Sequence, residues 1–123
     1  MTQPLALIFY EKLLPGTQLV NRMQDLGYRV VTVTGESLVA SAAHEKPMLV
    51  LADLTARRTN VVEAISQLRA NPETNHLPVI AFAEDKDAAL QSAARAAGAT
   101  LVVNETAIDT HLEQFLEQAL RLD

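Results

Sequence analysis

Short apolar runs rich in branched side chains alternate along this chain with stretches of helical period. The runs are Leu5–Tyr10, Tyr28–Thr34, Met48–Asp53, Leu77–Ala83 and Thr100–Val103, each the length of a strand. The third, fourth and fifth are almost continuously apolar, as parallel strands covered on both faces are. Between them, Leu19, Val20, Met23 and Leu26 share one helical face, and Gly27 stops that helix as a C-terminal cap. Leu38, Val39 and Ala42 mark a second helix that ends before Pro47. Val61, Ile65 and Leu68 mark a third, stopped near Asn71-Pro72, and Ala88 to Ala97 a fourth, mostly alanine and closed by Gly98. Ile108, Leu112, Phe115, Leu116 and Ala119 form one last amphipathic stripe. The order βαβαβαβαβα predicts a parallel sheet with helices on both faces, because successive parallel strands need helical crossovers.

Composition narrows the function. The chain has 123 residues, 49% of them apolar and 20% charged, which excludes intrinsic disorder and favours one domain over residues 1–123. Ten basic against fifteen acidic side chains give a formal net charge of −5, a poor basis for nucleic-acid binding. With no cysteine, disulfides, thiolate metal sites and cysteine nucleophiles are excluded. No apolar run approaches the roughly 20 residues of a membrane span, and no basic residue precedes the first one as in a signal peptide. A cytoplasmic location is the expectation.

In such sheets chemistry gathers beyond the carboxyl ends of the strands. These ends carry a resemblance. Pro47-Met-Leu-Val-Leu-Ala-Asp53-Leu54 is similar to the strand that ends on the phospho-accepting Asp of bacterial response regulator receiver domains (the CheY-like family). Leu68-Arg-Ala-Asn-Pro-Glu-Thr-Asn-His-Leu-Pro-Val-Ile80 resembles their third helix, loop and fourth strand, and Ala96-Ala97-Gly98-Ala99 the lead into their fifth strand. The similarity spans essentially the whole chain. It implies a flavodoxin-like, doubly wound, five-stranded parallel sheet, (βα)5, and a role in two-component phosphorelay signalling.

The chemistry implied by the resemblance needs five positions: an acceptor Asp, two acidic residues that with it hold Mg²⁺, a Ser or Thr ending strand four, and a Lys-Pro ending strand five. Asp53 stands at the acceptor position. The acidic pair falls on Phe9-Tyr10, or on Tyr10-Glu11 with a one-residue slip. The hydroxyl position falls on Ala83, and the Lys-Pro position on Glu105-Thr106, with Asn104 the nearest alternative. Ala83 offers no donor. A carboxylate at Glu105 in place of an ammonium repels a phosphoryl group by about 4 kcal/mol at 4 Å and an effective dielectric near 20. The expectation is therefore a degenerate receiver with weak or absent Mg²⁺ binding and no enzymatic activity. It works by binding a histidine kinase, another regulator or itself as a homodimer. The resemblance implies the face of helix four, strand five and helix five for that contact. Two alternatives stay open: a working phospho-acceptor at Asp53, and a flavodoxin-like domain with a small ligand near Phe9, Tyr10 and Asp53.

Other features have plainer readings. Arg57 and Arg58 are candidate ion-pair partners of Asp53, and Thr55 a hydroxyl that satisfies loop backbone. Phe9 and Tyr10 read as packing residues. Glu84, Asp85 and Asp87 read as the acidic start of the fourth helix rather than a metal cluster. His44, His76 and His111 lie on separate segments without metal spacing. Pro15-Gly16 reads as a turn followed by Thr17 as an N-cap, since no phosphate-loop motif surrounds it.

Overall fold

The computed structural model describes residues 4–10, 13–33, 37–55, 60–84 and 86–121. Their elements are β1 (Leu5–Phe9), α1 (Leu13–Asp25), β2 (Arg29–Val33), α2 (Leu38–Glu45), β3 (Leu49–Asp53), α3 (Val61–Ala70), β4 (Val79–Ala83), α4 (Ala88–Ala97), β5 (Leu101–Asn104), α5 (Glu105–Thr110) and α6 (Leu112–Arg121). The strands form one sheet in the order β2-β1-β3-β4-β5, and every neighbouring pair is parallel. That is the flavodoxin-like doubly wound order, with its reversal point between β1 and β3.

Period-two alternation along the strands splits the core into two layers. Leu7, Phe9, Val50, Ala52, Val79 and Ala81 join Leu38 and Ala42 of α2, Ile65 and Leu68 of α3 and Ala94 of α4. Ala6, Ile8, Leu49, Leu51, Ile80 and Phe82 face Leu19 and Met23 of α1, Ile108 of α5 and Leu112, Leu116 and Ala119 of α6. Every residue of β1, β3 and β4 is buried. β5 is only half-buried along its length, although its sequence is as apolar as theirs. Among the described residues it is an edge strand, with a neighbour on one side alone.

Helix punctuation follows the sequence in most places. Gly27 and Gly98 both take positive φ, 95° and 114°, and Gly98 donates its N–H to the carbonyls of Ala94 and Arg95. α2 stops at Lys46, which lies in the left-handed region at φ 51° with its N–H on the Ala42 carbonyl, just before Pro47. Three expectations need correction. Pro15-Gly16 is not a turn but lies within α1; a proline in the first helical turn loses nothing, because the first four N–H groups have no helical acceptor. The last stripe is two helices, broken at His111 with φ −117° and ψ 26°. The bonds His111 N–H to Ala107 and Phe115 N–H to His111 persist across the break, so Ile108, Leu112 and Leu116 still face one core. Finally, β5 runs on to Asn104, and α5 follows it without a loop. No helix among the described residues is long and apolar enough to cross a membrane.

At the amino ends of the central strands, Arg69 ties three segments together. Its Nε donates to the Gly98 carbonyl at 2.8 Å, and its Nη1 to the carbonyls of Leu77 at 2.6 Å and Asn75 at 3.0 Å. Its Nη2 reaches the Thr100 hydroxyl oxygen at 3.3 Å, which also accepts the Val79 N–H at 3.0 Å. All four acceptors are neutral. Partial burial holds the guanidinium below the ordinary arginine pKa.

These two helix ends give opposite expectations. A Cβ at Gly98 would stand 2.6 Å from Arg69 Cγ at a positive φ. Gly98→Ala therefore lowers stability by about 1–3 kcal/mol. Lys46→Gly removes the left-handed strain of a side-chain-bearing residue and raises stability by about 0.5–1 kcal/mol. Urea titration of each variant against the parent checks both signs.

Candidate functional site at the strand ends

The carboxyl ends of β1, β3, β4 and β5 bring most of the sequence-predicted positions to one pole. Phe9 closes β1 beside Val33 and Ala52, 3% exposed. Tyr10 follows it, half-buried against the α1–α5–α6 layer. The packing expectation for this aromatic pair is thus met. Asp53 ends β3 in register with Phe82. Ala83 ends β4, fully buried, in register with Asn104 at the end of β5. Glu105 is the first residue of α5. Glu11, Arg57 and Arg58 lie outside the described residues, as does Asp85.

A carboxylate that is only 2% exposed must find its donors within the protein. Asp53 finds them two residues away. Its Oδ1 accepts both the Thr55 N–H at 2.9 Å and the Thr55 hydroxyl at 2.6 Å. Thr55 thus serves the carboxylate rather than loop backbone. The reason is distance: a side chain two residues on reaches Oδ1 while its own N–H points the same way. Meanwhile the Leu54 N–H continues the ladder onto the Phe82 carbonyl at 2.9 Å.

The same device recurs at the end of β5. Asn104 Oδ1 accepts the Thr106 N–H at 2.7 Å and the Thr106 hydroxyl at 2.6 Å, capping α5. Asp53-Leu54-Thr55 and Asn104-Glu105-Thr106 share the pattern Asx-x-Thr, a signal present in the sequence. Asn104 is therefore a helix cap at the end of a strand, and Glu105 lies one residue into the helix.

The acidic stretch after β4 behaves differently from expectation. Asp87 is the N-cap residue of α4 but its side chain makes no capping hydrogen bond, and the first turn holds no acidic residue. Glu84 instead pairs with Lys86 at 3.1 Å, and its carbonyl accepts from Gln91 Nε2 at 2.9 Å. Both charged side chains are substantially exposed, so the pair contributes little to stability. Among the described residues of the strand-end loops, Lys86 is the one cationic side chain.

The described donors do not fit a divalent-cation cage. A Mg²⁺ ion takes octahedral oxygen ligands, commonly with one or two protein carboxylates. Here one Asp53 oxygen already accepts two hydrogen bonds, and Phe9, Tyr10 and Ala83 bring no carboxylate. No group of three or more His, Asp or Glu side chains suited to a metal converges among the described residues. Three surface hollows lie away from Asp53. One is lined by Gln18, Asn21, Arg22 and Thr110, and two others flank β2.

No protein-family model matches the sequence, and no curated protein does. Solved structures match closely in shape. The chemotaxis response regulator CheY4 of Vibrio cholerae superposes with a TM-score of 0.85 at 18% identity, over 96% of this chain and 99% of that one. The receiver domain of a sensor histidine kinase from Pseudomonas aeruginosa, described with a magnesium ion in its active-site cleft, gives 0.86 at 20% identity, over 95% and 97%. The signal receiver domain of a modulated diguanylate cyclase from Desulfovibrio desulfuricans gives 0.82 at 24% identity, over 98% and 95%. At these identities the likeness speaks for architecture: this chain has the fold of the response regulator receiver domains.

Proposed function

We propose that residues 1–123 form a single receiver-like module of two-component signalling that acts by binding protein partners and no longer accepts phosphate efficiently. The observation that carries this reading is the strand-end site itself. Asp53 is in the acceptor place, but its Oδ1 is engaged by Thr55, Ala83 presents no hydroxyl, and Asn104 is committed to capping α5. Among the described residues, a phosphoryl group there meets no hydroxyl at Ala83, no metal cage and no cation at the end of β5, the groups that would neutralise its charge. The module is a cytoplasmic, non-enzymatic protein in this reading and has no affinity for nucleic acid.

The partner face is that of α4, β5 and the last helical stretch, α5 with α6. α4 buries Ala94 and half-buries Leu90 and Ala97, and it leaves Ala88, Ala89, Ser92, Ala93 and Ala96 exposed. Small exposed side chains let a partner helix approach closely. A histidine kinase, a second regulator or a second copy fits this role.

Two measurements test the reading. Incubation with Mg²⁺ and a small-molecule phosphodonor, followed by intact mass spectrometry, yields unmodified protein; stoichiometric modification of Asp53 overturns the degenerate reading and restores the phospho-acceptor alternative. Thr55→Val strips the hydroxyl donor from a buried carboxylate. It lowers stability by about 1–3 kcal/mol in urea titration, and an unchanged midpoint refutes the role assigned to Thr55.

A further inference from the structure

The edge of the sheet at β2 turns backbone groups outward in a defined pattern. The Arg29 N–H donates to the Pro4 carbonyl at 2.8 Å, and the pairing Leu5↔Arg29 continues to Phe9↔Val33. Because a parallel ladder alternates, Arg29, Val31 and Val33 direct their backbone groups to β1. Val30 and Thr32 therefore turn N–H and C=O outward, where no further strand of the described residues pairs with them. Native edges are usually guarded by proline, lysine, a bulge or an inward charge. β2 reads Arg-Val-Val-Thr-Val and carries none of these beyond the arginine at its first position. The surface is also hollow on both sides of the strand, beside Gln24 and Tyr28 on one and beside Ser41 and His44 on the other.

We propose that β2 pairs antiparallel with β2 of a second copy about a two-fold axis at Val31, giving one sheet continuous through both molecules. The axis position follows from the outward groups. Centred on Val31, Val30 faces Thr32 of the second copy and Thr32 faces its Val30, and each pair exchanges both backbone hydrogen bonds. All outward groups of both strands are then used. Centring on Val30 instead sets Thr32 against Tyr28, whose N–H is already on the Met23 carbonyl. The two Val31 residues become the close, non-hydrogen-bonded pair, and the β-branched side chains face one another across the strands.

Charge fits the same symmetry. Arg29 is the one charged residue of β2, and the two-fold sets the two copies of it at opposite ends, each across from Val33. α2 returns from the Val33 end of the sheet toward the Arg29 end, so the two-fold sets the two Glu45 carboxylates at opposite ends as well. Pairing β2 with the β5 edge of another copy is heterologous and builds a ring or a filament, whereas the two-fold closes on a dimer. This inference uses the sheet edge opposite β5 and does not rest on the reading of Asp53.

The chain contains no cysteine, so one introduced cysteine reports one contact. Val31→Cys under mild oxidation forms a covalent dimer, whereas Ala93→Cys on the exposed side of α4 stays monomeric. Sedimentation velocity of the unmodified chain shows a concentration-dependent dimer. Thr32→Pro removes an outward N–H that the ladder to β1 does not use, and an edge strand tolerates it there. It weakens the dimer by about tenfold or more, with circular dichroism confirming that the fold is kept. Thr32→Lys, which leaves the backbone donor in place but guards the edge, weakens it in the same direction and serves if the proline variant does not fold. A chain that stays monomeric at the highest concentrations overturns the proposal. So does a dimer indifferent to both Thr32 variants, or one cross-linked as readily through Ala93→Cys, which would place the contact on α4.

Discussion

Parallel strands cannot follow one another through a tight turn. Each must be reached by a crossover that returns along the sheet, and the crossover is a helix that needs an apolar surface beneath it. Everything else in this molecule follows from that geometric demand. It makes β1, β3 and β4 apolar on both faces, since helices lie above and below them. It divides the helices into α2, α3 and α4 on one side and α1, α5 and α6 on the other. It also sends every chain reversal of one kind to one pole, so that the strand-end loops meet where the order β2-β1-β3 reverses.

That meeting place holds Asp53 at the end of β3. Burial makes the Asp53 carboxylate expensive unless donors reach it. The donors come from the next turn of its own loop. Thr55 brings two donors to Asp53 Oδ1, and Asn104 repeats the arrangement with a neutral amide. Both ends use the same local geometry to finish a strand. The scaffold keeps the order and spacing of a receiver while its strand ends are completed by short-range hydrogen bonds.

Much of this was legible in the residues. Alternation of branched apolar runs with helical stripes is a direct imprint of the two-faced sheet. Gly27 and Gly98 announce their helix ends because a positive φ is costly for other residues. Pro47 closes α2 for steric reasons that do not depend on context. Other features were not legible because they are decided by neighbours distant in sequence. Leu101 to Val103 look like a buried strand, and only the sheet order shows that they lie at an edge. Pro15-Gly16 looks like a turn, and only its place in the first helical turn makes it harmless. The break at His111 leaves the stripe of Ile108, Leu112 and Leu116 intact, so periodicity does not register it. At the site, the recurrence of Asx-x-Thr at Asp53 and Asn104 was visible in the sequence. Its meaning needed the burial of Asp53 and the position of α5.

The Arg69 clamp sets the two ends of α4 on unequal footing. Its carboxyl end turns through Gly98, whose carbonyl takes the Arg69 Nε and whose N–H closes the last helical turn. Through the same guanidinium that end is joined to the entry of β4 and the end of α3. The amino end begins at Asp87 without a side-chain cap, held by the Gln91 amide on the Glu84 carbonyl. In mechanical terms α4 is a beam built in at its carboxyl end by a clamp that spans three segments. Among the described residues, the end nearest Asp53 carries no tie across the sheet like that of Arg69, which anchors the other end at the far pole.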